Sequence, residues 1–248
     1  MIAGSGTAVN VVTVLVGSSI GVLAGNRLPG RTRDLVTDAL GLVTLLIAAL
    51  SAVAVNDPAL AAKVGPHASL LIVLGSLVVG GTVGSLLRLE QRVEGLGGWL
   101  QQRLSGASDS AERARFIEGF VTASLVFCTG PLTILGSLSD GLGHGADQLY
   151  LKATLDGFAA IAFAASFGWG VGASVIALVV IQGGLTALGA ALGSFVPDAH
   201  LSALTATGGL LLVGVAFRLL DLKQLKVADL LPALLVAPLL VQAVVVLR

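Results

Sequence analysis

A row of polar side chains interrupts the apolar segment EGFVTASLVFCTGPLTILGSLSDG, residues 118–141. The members of this row are Thr122, Thr129, Thr133, Ser137 and Asp140. Their spacings of seven, four, four and three residues place them on one side of a helix. Hydroxyl and carboxylate oxygens can bind small solutes and ions. The row therefore predicts a binding site inside an otherwise apolar helix.

The pair Gly130-Pro131 interrupts the same segment. Proline lacks a backbone N–H and its ring clashes with the carbonyl four residues earlier, so the helix is expected to break here. In a membrane, the freed backbone groups must be satisfied by protein or by water in a cavity. We therefore predict that Gly130 contributes to the binding site. The alternative is a proline kink in which Ser and Thr hydroxyls bond to the freed carbonyls.

Two carboxylates, Glu118 and Asp156, begin successive apolar segments. A carboxylate in the first turn of a helix interacts favourably with the helix dipole. Arg115 and Lys152 precede them by three and four residues, so each carboxylate could be paired locally. One hypothesis makes the two carboxylates gates or ion ligands at opposite mouths of a transport path. The other makes them interfacial caps.

Asn10 and Gln182 are amides deep within apolar segments, where they could bind a substrate or join two helices. Gly17, Gly21 and Gly25 recur every four residues and predict a surface for close helix packing.

The composition, 55% hydrophobic and 11% charged with a mean hydropathy of +0.97, is far too apolar for a soluble domain. We predict an all-α polytopic membrane protein whose apolar surface faces the lipid bilayer. The formal net charge of zero gives no reason to expect nucleic-acid binding. The single cysteine, Cys128, excludes an intrachain disulfide and a cysteine-cluster metal site. No catalytic motif or cofactor fingerprint is present, so we expect neither an enzyme nor a cofactor or metal.

Apolar stretches of the length that a bilayer requires predict about eight spans in a single integral membrane domain, residues 1–248. These spans are about 5–25, 35–55, 68–87, 117–139, 151–168, 171–195, 203–220 and 229–247. In this topology eleven of the fourteen Lys and Arg residues fall on one side, which the positive-inside rule makes cytoplasmic. Both termini are then outside. The linker at about 88–115 is a cytoplasmic amphipathic segment.

The chain also matches itself. At an offset of 168 residues, spans one and two align with spans six and seven, with identities that include Gly41/Gly209. At an offset of 38, EGFVTASLVFCTG (118–130) aligns with DGFAAIAFAASFG (156–168). Each match joins spans of opposite direction, which predicts an inverted repeat. The alternative is coincidence in a sequence of low diversity.

The motifs GTAVN, RLPGRTRD, EGFVTASLVFCTG with ILGSLSDGL, LDGFAAIAFAASFGWGV and LLPALLVAPL together span almost the whole chain. In these motifs the sequence resembles the bacterial integral-membrane family called domain of unknown function 554. The resemblance implies a multi-pass protein of the bacterial cell (inner) membrane without an assigned activity.

These observations lead to the hypothesis of a small secondary transporter or channel-like permease for a small solute or ion. The polar core of spans four and five would form its site, and the glycine faces of spans one and six would pack around them or cross each other. A protein of this size could also act as a homo-oligomer. The alternative is a non-transporting membrane scaffold or accessory subunit, whose partner would bind the basic surface between Arg88 and Arg115.

Overall fold

The computed structural model describes residues 4–25, 29–65, 67–105, 110–129, 131–143, 145–192 and 197–247. Within these ranges the chain is helical and has no strand. The α-helices are α1 (Ser5–Gly25), α2 (Gly30–Ala52), α3 (Pro58–Val64), α4 (Ala68–Leu87), α5 (Leu89–Ser105), α6 (Ser110–Thr129), α7 (Pro131–Gly141), α8 (Asp147–Phe167), α9 (Gly170–Ala173), α10 (Val175–Leu178), α11 (Gly184–Leu192), α12 (Asp198–Leu219) and α13 (Ala233–Leu247). A π-helical turn, Val179–Gly183, joins α10 to α11, and short 3-10 turns occupy Val53–Asn56 and Val227–Leu230.

Seven helical segments among the described residues are long and apolar enough to cross a membrane. They are Ser5–Gly25, Thr37–Asn56, Ala68–Leu87, Asp147–Phe167, Gly170–Ala190, Asp198–Leu219 and Val227–Leu247. Each coincides with a predicted span to within about five residues at either end. The predicted fourth span is not among them, because α6 begins with several charged residues and α7 has only 11 residues.

Large apolar side chains on these helices face outward. Leu23, Leu46, Leu70, Phe158 and Leu239 are each at least 60% exposed. In water, an exposed apolar surface of this extent would drive association. Hydrocarbon solvates the same side chains without cost, so the exposure is that of a protein surrounded by lipid.

The chain forms two compact units. Unit 1 comprises Met1–Leu40, Val93–Cys128 and Leu132–Ser194. Unit 2 comprises Gly41–Arg92, Thr129–Pro131 and Phe195–Arg248. Each unit therefore combines segments from both halves of the sequence.

In unit 1, α1 and α8 run side by side in the same direction. Successive contacts advance along both helices, and the contacting pairs are Gly6–Leu149, Gly17–Gly157, Gly21–Ile161 and Gly25–Ala165. The glycines on α1 allow its backbone to touch the carbonyl groups of α8 directly. Such close approach favours helix association in lipid, where van der Waals packing replaces the hydrophobic effect as the driving force.

In unit 1, α6 and α7 run antiparallel to α8 along its whole length. The contacting pairs are Phe116–Gly170, Gly119–Phe167, Phe127–Phe163 and Gly136–Leu149. The rings of Phe127 and Phe163 meet edge to face, with their centroids 6.1 Å apart. α6 and α7 therefore run in the same direction.

The segment from α9 to α11 runs antiparallel to α1, with contacts at Ser18–Gly172, Asn10–Gln182 and Thr7–Thr186. Gly189 on α11 packs on Leu138 of α7. The glycine faces of spans one and six therefore pack on spans five and four, as predicted. The alternative, in which spans one and six cross through Gly17, Gly21 and Gly25, is wrong, because these glycines contact α8. Gly193, the glycine four residues after Gly189 on the predicted glycine face of span six, lies outside the described residues.

Unit 2 consists of two antiparallel helix pairs and the short helix α3. One pair joins α2 to α12 through Gly41–Leu220 and Gly209–Ala52. The other joins α4 to α13 through Gly75–Leu240, Gly80–Ala233 and Gly84–Asp229. A cluster of buried apolar side chains fills the space between α3, α4, α12 and α13. Its members are Leu60, Val64, Ile72, Ala199, Ala203, Ala237 and Val241.

A buried carboxylate, Glu90, fixes one end of unit 2. Its two oxygens accept hydrogen bonds from Arg218 Nη1 (2.6 Å) and from the Ala228 backbone N–H (2.7 Å). The Glu90 backbone N–H in turn donates to Asp229 Oδ1 at 2.9 Å. These three hydrogen bonds tie the start of α5 to the end of α12 and to the loop before α13.

Adding one methyl group at Gly21 should separate α1 from α8. A Cβ there would lie 2.2 Å from the Ile161 carbonyl oxygen, which belongs to the backbone and cannot rotate away. We expect Gly21→Ala to destabilise the detergent-solubilised protein by about 1–3 kcal/mol, measured by thermal unfolding. Gly184→Ala is the matched control, because a Cβ at Gly184 would meet no atom within 4 Å. Equal melting temperatures for the two variants would contradict the close α1–α8 contact.

Candidate functional site

Three segments of unit 1 bring polar side chains together between apolar faces. Asn10 Nδ2, on α1, donates to Asp156 Oδ2 on α8 at 2.9 Å and to Gln182 Oε1 on the π-helical turn at 3.0 Å. Lys152 Nζ forms an ion pair with the same Asp156 oxygen. We call Asn10, Lys152, Asp156 and Gln182 the polar core.

The polar core is enclosed by protein. Asn10 and Gln182 are 0% exposed, Lys152 is 4% exposed and Asp156 is 8% exposed. Asp156 is the tenth residue of α8, so it lies about 14 Å along a helix of about 30 Å. A lysine and a carboxylate near the middle of a span are costly to bury unless they are paired, and such groups mark functional sites in membrane proteins.

The ion pair determines how both amides are oriented. The Asp156 carboxylate only accepts hydrogen bonds, so Asn10 must turn its NH2 group toward it. That NH2 group also faces Gln182, which must therefore present its oxygen. As a result Asn10 Oδ1 and Gln182 Nε2 are both buried without a hydrogen-bond partner among the described residues.

Gln182 reaches the polar core from the π-helical turn Val179–Gly183. A π-helical turn adds one residue to a helical turn and is often found at functional sites. One turn later, the Thr186 hydroxyl donates to the Gln182 carbonyl at 3.0 Å and lies 3.4 Å from the Thr7 hydroxyl. These hydroxyls continue the polar contact between α1 and the α10–α11 segment toward the start of α1.

Asp140, at the end of α7, caps the start of α1. Its Oδ2 accepts hydrogen bonds from the Gly4 and Gly6 backbone N–H groups at 3.1 and 3.2 Å. A carboxylate at this position satisfies N–H groups that have no partner within the helix and interacts favourably with the helix dipole. The sequence predicted Asp140 as a ligand, and the structure places it 2% exposed in a helix cap.

The hydroxyl row of the fourth span bonds mainly to backbone. Pro131 has no N–H to bond the Phe127 carbonyl four residues earlier, and Thr133 donates to that carbonyl at 2.9 Å. Ser137 donates to the Thr133 carbonyl. Hydrogen bonds from Ser and Thr hydroxyls to backbone carbonyls are what the proline-kink alternative predicts. Thr122 is buried on α6. Gly130 lies outside the described residues, and so does the side chain of Thr129.

Glu118 and Asp156, which the sequence suggested as symmetry-related gates, have different surroundings. Glu118 is exposed on α6, whereas Asp156 lies in the polar core. Asp156 is not a first-turn cap, because α8 begins at Asp147, four residues before the predicted start. The predicted local pairing of Asp156 with Lys152 is confirmed.

Lys152 is the site residue that the sequence reasoning missed. The predicted topology counts it among the charges of the outer side, at the start of the span 151–168, whereas the structure buries it within α8. The signal was available, since Lys152 and Asp156 are four residues apart and so share one helix face within an apolar stretch. No group of three or more His, Cys, Asp or Glu side chains in the described ranges could hold a metal ion.

Comparisons with known proteins are consistent with a membrane protein. Residues 5–242 match the sequence model of a protein family described as "Protein of unknown function (DUF554)". An uncharacterised membrane protein of Bacillus subtilis (strain 168), YdfK, is 27% identical over 236 residues, 95% of each chain. An uncharacterised protein of Escherichia coli (strain K12), YqgA, is 30% identical over 233 residues, 94% of each chain. No solved structure gives a significant match.

Removing one partner of the Lys152–Asp156 pair should cost more than removing both. Lys152→Met or Asp156→Asn alone leaves a buried charge without its partner, which should destabilise the protein by about 3 kcal/mol. The double variant buries no charge, so we expect it to be more stable than either single variant in thermal unfolding. Lys63→Met, at an exposed lysine, is the control. Additive effects of the two substitutions would mean that the pair is not coupled.

Proposed function

The chain belongs to the DUF554 family, and we propose that it is a small secondary transporter or channel-like permease for a small solute or ion. The observation that carries this proposal is the polar core. It combines an ion pair with a free acceptor, Asn10 Oδ1, and a free donor, Gln182 Nε2, at membrane depth. A purely structural network would gain from satisfying both atoms, because an unsatisfied buried polar group costs about 1–3 kcal/mol.

The proposed site differs from the one that the sequence emphasised. Asn10, Asp156 and Gln182 remain as binding residues, and Lys152 joins them. Thr133 and Ser137 become structural residues of α7, since their hydroxyls bond to backbone carbonyls. Asp140 becomes the residue that holds the start of α1 close to the site.

We also propose that α6 and α7 together form an eighth crossing. Support comes from their antiparallel contacts with α8, which extend from Phe116–Gly170 to Gly136–Leu149. The parallel direction of α1 and α8 agrees, because an odd number of crossings must separate two spans of the same direction. With α2 and α4 as two of them, α6–α7 supplies the third.

An inverted repeat is part of this proposal, because it would permit the alternating access of a transporter. The helices that the sequence alignment pairs are in antiparallel contact within each unit: spans one and six, four and five, and two and seven. Gly41 packs on Leu220, and the aligned Gly209 packs on Ala52. Gly41 and Gly209 are 168 residues apart, as are Ala52 and Leu220, so the two contacts are related by the same offset as the sequences.

Reporter fusions test the eighth crossing. We expect a fusion after Ser110 to lie in the cytoplasm and a fusion after Gly143 to lie outside, because α6–α7 crosses between them. A phosphatase that is active only outside the cytoplasm should therefore be active at the second position alone, and also after Arg248. Equal phosphatase activity after Ser110 and after Gly143 would exclude the crossing.

Transport is tested by an assay that covers many solutes at once. Purified protein in liposomes is mixed with a series of hyperosmotic solutes, and light scattering follows the re-swelling that accompanies solute entry. We expect at least one solute to enter faster than into protein-free liposomes. Gln182→Leu should abolish this entry because it removes both the Oε1 acceptor that bonds to Asn10 and the unpartnered Nε2 donor of the site.

The matched control for transport is Gln148→Leu, which alters an exposed glutamine at the start of α8. Its entry rates should equal those of the wild type. If no solute enters the wild-type liposomes faster than the protein-free ones, or if Gln182→Leu transports normally, the proposed function or its site is wrong.

A further inference from the structure

The amide pair of the polar core makes only one of its two available mutual hydrogen bonds. Asn10 Nδ2 donates to Gln182 Oε1 at 3.0 Å, but Gln182 Nε2 and Asn10 Oδ1 have no partner among the described residues. Two amides free to rotate could form both bonds as a cyclic pair. Here the second hydrogen bond of Asn10 Nδ2, to Asp156, fixes the Asn10 amide and leaves the outer edges of both amides free.

The free edges offer one acceptor and one donor, both belonging to residues that are 0% exposed. A planar group that carries an N–H beside a C=O has the donor and the acceptor that complement these two atoms. Its N–H donates to Asn10 Oδ1, and its C=O accepts from Gln182 Nε2. A carboxylate would match the donor but place an oxygen against the Asn10 acceptor, and an amidinium would place an N–H against the Gln182 donor.

The net charge of the polar core also favours a neutral ligand. Lys152 and Asp156 neutralise each other, so the polar core as it stands has no net charge. The other elements packed against it contribute little charge: α1 and the α9–α11 segment carry no ionisable side chain. On α6, the Cys128 thiol is close enough to Lys152 and Asp156 to interact with them electrostatically, and Asp140 on α7 is engaged at the start of α1. A ligand with a net charge would enter the membrane interior without a counter-charge.

We propose that the polar core binds a small solute of zero net charge through a carboxamide-like group, held between Asn10 Oδ1 and Gln182 Nε2. The inference rests on the proposed function, because it names the class of substrate that the transporter would carry. It does not require Lys152 or Asp156 to change its charge. Their role is to fix the Asn10 amide and to keep the site neutral.

Three probes of nearly the same shape test the proposal: acetamide, acetate and acetamidinium, which carry zero, negative and positive charge. Their methyl protons report binding to the detergent-solubilised wild-type protein in saturation-transfer difference NMR, at equal concentrations. We expect acetamide to bind at least about tenfold more tightly than either ion. The free energy of burying a lone charge in a membrane is larger than the free energy of this tenfold ratio, so tenfold is a lower bound. Equal or stronger binding of acetate or acetamidinium, or no binding of any probe, would overturn the proposal.

A substitution at Gln182 tests the location. Gln182→Glu replaces the free donor with an anionic acceptor, so the preference should move from acetamide to acetamidinium. Gln148→Glu introduces the same charge at an exposed position of α8 and should leave the preference for acetamide unchanged. If Gln182→Glu retains the wild-type preference, the probes bind elsewhere. The comparison of the three probes on the wild type holds even if this variant does not fold.

The outcomes also separate the inference from the proposed function. If acetamide binds but does not enter proteoliposomes, the binding inference stands and transport fails. If proteoliposomes admit only salts, transport stands and the choice of a neutral carboxamide-like substrate is wrong.

Discussion

A polar group inside a membrane protein has to find its hydrogen-bond partner within the protein, because hydrocarbon offers none. Each irregularity in unit 1 follows from this constraint. Pro131 has no N–H to offer the Phe127 carbonyl four residues earlier, and Thr133 donates to that carbonyl instead. The start of α1 presents unpaired N–H groups, and Asp140 accepts from two of them. The polar core obeys the constraint only in part, and this is why it is the candidate site.

The lipid surroundings also explain the use of glycine. Helices in lipid gain little from apolar contact as such, so they associate where their backbones can approach closely. Gly17, Gly21 and Gly25 bring α1 against the carbonyl groups of α8. This close packing sets the spacing between the two helices that carry Asn10 and Asp156, and it places these side chains within 2.9 Å of each other. Glycine packing and the polar core are therefore parts of one arrangement.

The arrangement also gives Lys152 a role in the interior of unit 1. It is buried and neutralises Asp156 within the same helix face. Because Lys152 and Asp156 neutralise each other on α8, α1 and the π-helical turn need to supply only amides to the polar core. Those amides are oriented by the ion pair and present their free edges where no side chain among the described residues meets them. A neutral site with directional hydrogen bonds favours recognition by shape and hydrogen bonding over recognition by charge.

Composition and apolar length alone determined the class of protein and seven of its spans, because the bilayer imposes one length and one polarity on every helix. The sequence also determined the missing N–H at Pro131 and the glycine faces, which follow from the covalent structure of these residues. It identified Asn10, Asp156 and Gln182 as unusual without showing that they meet. That meeting was decided by tertiary structure, since the three residues are up to 172 positions apart and no local periodicity links them. Tertiary structure likewise turned Asp140 from a predicted ligand into a helix cap and Lys152 from a charge of the outer side into a buried partner. The packing of helices, and not the composition of any one of them, determines which polar groups share an interior.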